Sequence, residues 1–347
     1  MSAALPVHFW VPWVDEAFEG WDPDDDPARF PSGLGHGILE LYKRLARLGR
    51  PVHLGPRVAR PSHVVFHLES LWQWQAMAPN RRLLRQLSAQ LVRTGVATAI
   101  RGDVPLHFGV RGVTEVMPNR ASIRRDNQVW VPLLPQRGLV SRATDRAGRV
   151  ATAALLGYEA NIPPILRSPS FRSAAQELGV TVVEILWTLE DREPRWHDLE
   201  QVDCVICVRE DVWGAGLERK PATKLINTWV AGSVPIAGLE PAYAELARPD
   251  VDCLMVDGPD GVLDALARLR RESGLVSRLE EGGRQRAREF APDRVLAAWD
   301  ELLFDRKARR DAVATAAGIV PWFAVQPRRA AVSVRRRVRG SRPERRH

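Results

Sequence analysis

Residues 218–238 read ERKPATKLINTWVAGSVPIAG, a helix with a marked start and a marked stop that runs at once into an apolar strand. No other stretch restricts the fold as much. Pro221 suits the first helical position, where its fixed φ helps and its missing N–H is not needed. Gly232 suits the left-handed residue just past the end. The two marks predict a helix of about three turns.

At 100° per residue Lys220, Lys224 and Asn227 fall on one side of that helix, and Leu225, Ile226 and Trp229 on the other, where they can pack on a sheet. Unpaired N–H groups at the helix start, with lysines alongside, favour an anion such as a pyrophosphate. An ordinary amphipathic helix with solvated lysines fits the same pattern.

Short apolar runs alternate with amphipathic stretches on both sides of this unit. VATAALLGY, VTVVEILW and DCVICVRE read as strands, SFRSAAQELG as a helix, and three further helices end in APDRVLAAWDELLF. Such alternation predicts parallel strands with right-handed crossovers. In the first half, residues 5–14, PVHLG, HVVFHLES, ATAIRGD and TEVMPN read as strands, and residues 79–94 as a basic helix. Residues 129–150 turn toward proline, glycine and charge and read as the connection between domains.

Ligand groups gather beyond the carboxyl ends of parallel strands. That rule makes His67, Glu69 and Asp103 candidate general bases for a hydroxyl, since each can take a proton once its pKa is tuned. Capping or hydrogen-bonded loop roles fit them equally. Gly33, Gly35 and Gly37 open an amphipathic helix that closes on Gly49, so backbone there can approach a phosphate, although the spacing is not G-x-G-x-x-G. Arg209 ends a strand close to the organising helix, placed to meet phosphates or to pair with Glu210 or Asp211. His197 and Asp198 read as caps. No set of side chains has metal-ligand spacing: the aspartates of WDPDDDP are consecutive and point apart, which suits a solvated loop.

Charge narrows the function classes. The net +8 comes from residues 306–347, with 13 Lys+Arg against 2 Asp+Glu; the rest holds 37 against 40. A body close to neutral argues against a specific nucleic-acid partner. The tail combines an apolar run, 312–325, with Arg335, Arg336 and Arg337, which suits an anionic membrane surface; a disordered basic tail fits as well. Three cysteines make no disulfide framework, and Cys204 and Cys207 lie in a strand at an odd separation, on opposite faces. With neither a signal-peptide pattern at the start nor a run of membrane-spanning length, the expected location is the cytoplasm, peripheral to the membrane if the tail binds it.

The ordered set of the 218–238 helix and strand, AYAEL with Glu245, a short strand and three basic helices resembles the carboxyl half of GT-B glycosyltransferases, over most of residues 145–305. The resemblance implies an α/β fold of two Rossmann-like, doubly wound domains facing a cleft: 1–140 on the acceptor side, 141–305 holding the donor, and 306–347 a basic tail. It implies a hexosyltransferase-type enzyme of polysaccharide biosynthesis, moving sugar from a nucleotide-diphosphate sugar to a hydroxyl of a glycan or lipid-linked acceptor. The donor is a substrate, and no cofactor is implied.

By the same resemblance Gly33 and Gly35 close over the diphosphate, Arg209, Lys220 and Lys224 meet its charge, and Asn227 and Glu245 hold ribose or sugar hydroxyls. Retaining members carry two glutamates at the positions of Arg219 and Asn227. An amide can still bond a ribose hydroxyl, whereas Arg219 does not copy a carboxylate. A sugar-nucleotide or glycan-binding protein of the same fold, without turnover, stands beside the enzyme as the second reading.

Overall fold

A computed structural model describes residues 5–11, 14, 16–25, 35–58, 61–68, 97–101, 113–187, 197–210 and 216–305. Gly33, Glu69, Asp103, the expected helix 79–94 and the basic tail lie outside the described residues.

Two parallel sheets form the body. The first contains β1 (Val7–Trp10), β2 (Val52–Gly55), β3 (His63–His67), β4 (Ala97–Ile100), β5 (Val113–Met117) and β6 (Gln128–Trp130), in the order β2-β1-β3-β4-β5-β6. The second contains β7 (Thr152–Tyr158), β8 (Thr181–Trp187), β9 (Cys204–Cys207), β10 (Val234–Gly238) and β11 (Leu254–Val256), in the order β11-β10-β9-β7-β8. β6 falls partly in the stretch read from sequence as connection. Its three residues precede a proline-rich run that hides them, but Val129 registers with Val116 and closes the sheet edge.

The apolar runs are unbroken because both faces of the second sheet are covered. Cys204 and Ile206 enter one hydrophobic cluster, and Val205 and Cys207 the other, so the two cysteines face opposite ways as their spacing requires. Both thiols are buried and free, and burial pushes the Cys207 thiol up to about 11.

Helices fill the crossovers. α1 (Glu40–Arg47) is entered through a π turn at Gly35–Leu39, α2 (Pro169–Glu177) is capped by Ser168, and α3 (Thr223–Ala231) ends on Gly232 at φ 77°. α3 starts two residues later than its proline suggests. The Pro221 carbonyl accepts from Arg209, and the first helical acceptor is the Ala222 carbonyl. α4 (Pro241–Ala244), α5 (Val262–Arg271), α6 (Leu275–Glu289) and α7 (Pro292–Phe304) complete the chain's described part.

Although α7 follows the second sheet in sequence, it packs on the first. Val295, Trp299 and Leu303, spaced at i, i+4 and i+8, join Val7, Phe9, Leu41 and Val65 in one core, and Trp299 Nε1 donates to the Pro132 carbonyl at 3.0 Å. The connection is pinned on its other side by Asp203, buried in the second sheet. Its carboxylate accepts from Arg146 and from the Ala151 and Thr152 amides at 2.7 and 2.9 Å. Burial alone would raise the Asp203 pKa, but these donors hold it below the usual range.

Trp299→Ala is therefore expected to cost about 3–5 kcal/mol in urea unfolding, the range for a fully buried aromatic. Glu301→Ala, on the exposed side of the same helix, is expected to stay within about 0.5 kcal/mol.

Candidate functional site

In an open parallel sheet, the crevice lies where successive connections leave in opposite directions. The strand orders put that point between β1 and β3 in the first sheet and between β7 and β9 in the second. Gly157 is near the end of β7, and Arg209 lies just past β9. Gly37, in the π turn after β1, meets His67 at the end of β3: a Cβ on that glycine would stand 3.2 Å from the imidazole.

The second switch point holds a buried polar cluster. Lys224, in the first turn of α3, lies across Gly157, and the fit is tight: a Cβ at Gly157 would come within 2.8 Å of Lys224 Cε. Gly157 has φ 115°, a conformation that side-chain-bearing residues avoid. Lys224 is 8% exposed and its Nζ has no hydrogen-bond partner. Burial first, then the neighbouring Arg209 and Lys220, bring its pKa down to about 8. Arg209 donates to the Pro221 carbonyl at 3.0 Å and to the Tyr243 hydroxyl, and its guanidinium lies 5.1 Å from the Tyr243 ring centre. Glu240, just past β10, has Oε1 3.5 Å from Arg209 Nε, yet neither of its oxygens accepts a hydrogen bond. Burial raises the Glu240 pKa, against the pull of Arg209 and Lys224.

Chemically, this is a half-satisfied receptor. Two cations and one carboxylate have been taken out of water with unused donors and acceptors among them, which is costly unless a ligand completes the set. An oxyanion at Lys224 and a hydroxyl at Glu240 would do so. Of the partners its position in sequence suggests, Glu210 makes no ion pair with Arg209 and Asp211 lies outside the described residues; Arg209 meets Glu240 and Tyr243.

The other expected site residues are distributed differently. Asn227 is 3% exposed, and its Oδ1 accepts from the Gln136 amide of the connection at 2.9 Å. Both Glu245 oxygens accept from the first lobe, from the Arg120 and Ala121 amides at 2.9 and 2.8 Å. Asn119, after β5, donates to the Glu218 and Lys220 carbonyls at 2.7 and 3.0 Å. These contacts bind the two lobes together around a cleft lined by Pro118, Trp130, Pro132, Pro221, Ile226 and Asn227. Lys220 sits at this junction, half-buried and before the helix. Gly35 opens the π turn that leads to His67's neighbour Gly37. His67 is buried, and His197 and Asp198 are backbone-bonded loop residues.

Sequence reasoning missed Gly157 and Glu240. Each had a signal, since each closes or directly follows an apolar strand run, which is where ligand groups collect.

No family model matches the chain, and no characterised protein matches it by sequence. Solved structures do. A glycosyltransferase involved in avilamycin A biosynthesis, AviGT4, superimposes with a TM-score of 0.50 at 15% identity, over 90% of this chain and 99% of its own. Alr3699/HepE of Anabaena, in complex with UDP and glucose, gives a TM-score of 0.50 at 9% identity, over 86% and 99%. The chain has the GT-B fold. In GT-B terms the two switch points are the facing ends of the two Rossmann-like sheets. Among the described residues no helix is long and apolar enough to cross a membrane, and no group of three His, Cys, Asp or Glu could hold a metal ion.

The lowered Lys224 pKa has a definite sign in stability. The folded protein binds this proton less tightly than the unfolded chain, whose lysine titrates near 10.5, so carrying it costs on the order of 3 kcal/mol below about pH 8. Between about pH 8 and 10.5 that cost is relieved. Stability of the ligand-free protein relative to Lys224→Met is expected to rise across this window, read by chemical unfolding at a series of pH values.

Proposed function

We propose that this GT-B protein is a glycosyltransferase that uses a nucleotide-diphosphate sugar. The observation that carries the reading is the buried, unpartnered Lys224 ammonium beside Arg209 at the β7/β9 switch point. The complex of HepE with UDP and glucose supports taking UDP as the first nucleotide to try.

In the proposed reaction an acceptor hydroxyl oxygen forms a bond to the anomeric carbon while the bond from that carbon to the diphosphate oxygen breaks. The diphosphate leaves with the electron pair. The hydroxyl proton passes to a base of the first lobe, His67 or one of Glu69 and Asp103. Lys224, Lys220 and Arg209 meet the charge that grows on the leaving group, and fixed cations do this without reorganising. Glu240 accepts from a hydroxyl of the donor, filling an acceptor that is otherwise unused. Gly35, at the start of the π turn, approaches the phosphates from the opposite lobe, and Gly33 keeps in this proposal the phosphate-side role the resemblance implies. Asn227 and Glu245 enter this proposal as ties between the lobes rather than as sugar-binding groups. A hydroxyl of a glycan or lipid-linked molecule is the proposed acceptor, with the basic tail reaching an anionic membrane surface in the lipid-linked case.

A second reading, a sugar-nucleotide binder without turnover, is favoured by one observation: Arg219 and Asn227 stand where the resemblance places paired glutamates.

UDP and UDP-sugars are expected to raise the thermal midpoint of the wild-type protein, because a ligand that binds only the native state stabilises it by mass action. Lys224→Ala should weaken UDP binding by roughly tenfold to a hundredfold, the loss of a charge-assisted contact, with unchanged circular dichroism. Absence of any nucleotide-dependent shift in the wild type would sink both readings. Binding without transfer or hydrolysis across a panel of acceptors would favour the second.

A further inference from the structure

The first lobe carries a second buried cation that the reaction above does not use. Arg101 directly follows β4, and its amide donates to the Val116 carbonyl of β5 at 3.0 Å, so it sits at the same sheet end as His67. The residue is 5% exposed. Its Nε has no acceptor, and Nη1 reaches only the Met117 sulfur at 4.0 Å. A guanidinium has five N–H groups and no other way to satisfy them when buried.

The opposite lobe brings a second guanidinium to the same place. Asn119 and Ser122, just beyond β5, hold the Glu218 and Lys220 carbonyls, which flank Arg219 on both sides. Arg219 is thereby fixed against the end of β5, the strand next to β4. Its side chain is partly exposed, with the Glu218 carboxylate 3.8 Å from its Nε.

The field agrees with the geometry. Burial lowers the Arg101 pKa; Glu115 opposes that, while Arg219 and Arg125 add to it. Glu115 makes no ion pair with Arg101, bonds Gln128 instead, and is itself held toward the neutral form by burial. Guanidinium groups brought together with so little opposing charge leave room for a multiply charged anion, which an Arg fork binds through paired hydrogen bonds.

We propose that the carboxyl ends of β4 and β5, with the 217–219 turn of the other lobe, form an anion subsite in which Arg101 and Arg219 grip a phosphoryl group. Resting on the transferase reading, the subsite assigns the acceptor to the class of phosphorylated molecules: its phosphate docks here and its hydroxyl lies toward His67. Arg219 then has a use that a glutamate at its position could not serve.

Inorganic phosphate is the probe, titrated by calorimetry at fixed ionic strength into the full-length wild type and three variants. Arg101→Gln and Arg219→Gln are each expected to weaken phosphate binding by at least about tenfold, and by more than Lys224→Ala, whose ammonium offers phosphate only the donor site. Arg219 is partly exposed, so its variant stays informative if Arg101→Gln fails to fold. Phosphate affinity lost in Lys224→Ala but kept in Arg219→Gln would place the ion in the donor site and overturn the proposal. So would a wild type that binds no phosphate, or equal affinity in all four proteins. Wild type that binds phosphate through Arg101 and Arg219 but shows no nucleotide binding would leave the subsite standing and remove the transferase reading alone.

Discussion

An ammonium group held out of water with no atom to receive its protons is the constraint around which the second lobe is arranged. Lys224 reaches its place only because position 157 has no side chain, and because α3 enters the sheet directly beside the end of β7. Arg209 and Glu240 stand just past the ends of β9 and β10, the next two strands on one side of β7. A charge in such surroundings persists only if the packed scaffold over-determines it, and Trp229, buried behind α3 and stacked at 6.0 Å on Phe290, supplies that rigidity. The cost of holding these groups out of water is thus the counterpart of the anion binding proposed for them.

The two sheets present their carboxyl ends to a common junction, and the ties across it are mostly backbone to side chain. Asn119, Ser122 and Glu245 each bond main-chain atoms of the opposite lobe. Main-chain partners make the contact insensitive to which side chains line the cleft. The lining can therefore differ widely from that of other GT-B proteins while the lobes keep their register, which is consistent with identities of 9–15% over 86–90% of this chain.

Much of this was legible in the residues. Both sheets follow from apolar runs bounded by turn residues, the stop of α3 from Gly232, and the opposite facing of Cys204 and Cys207 from their odd separation. What was not legible depends on distant partners. The start of α3 shifted because Arg209 takes the Pro221 carbonyl, a contact between positions 12 residues apart that no local preference encodes. β6 was hidden by the prolines after it. Glu245 matches a sugar-binding position by spacing, yet in this structure it faces the amides of residues 120 and 121; Glu240, five residues earlier, faces the cations. Local spacing does not distinguish two glutamates at the two ends of one short helix, whereas burial and the company each keeps do.

The placement of α7 bears on how the protein is made. Val295, Trp299 and Leu303 are part of the core that seals the first sheet, although they leave the ribosome after the whole of the second sheet. During synthesis the leading lobe waits with an apolar face uncovered while the trailing lobe emerges and can collapse. For this chain the half translated first is the half completed last: the emergence of α7, rather than of its own strands, sets when the amino-terminal lobe becomes native.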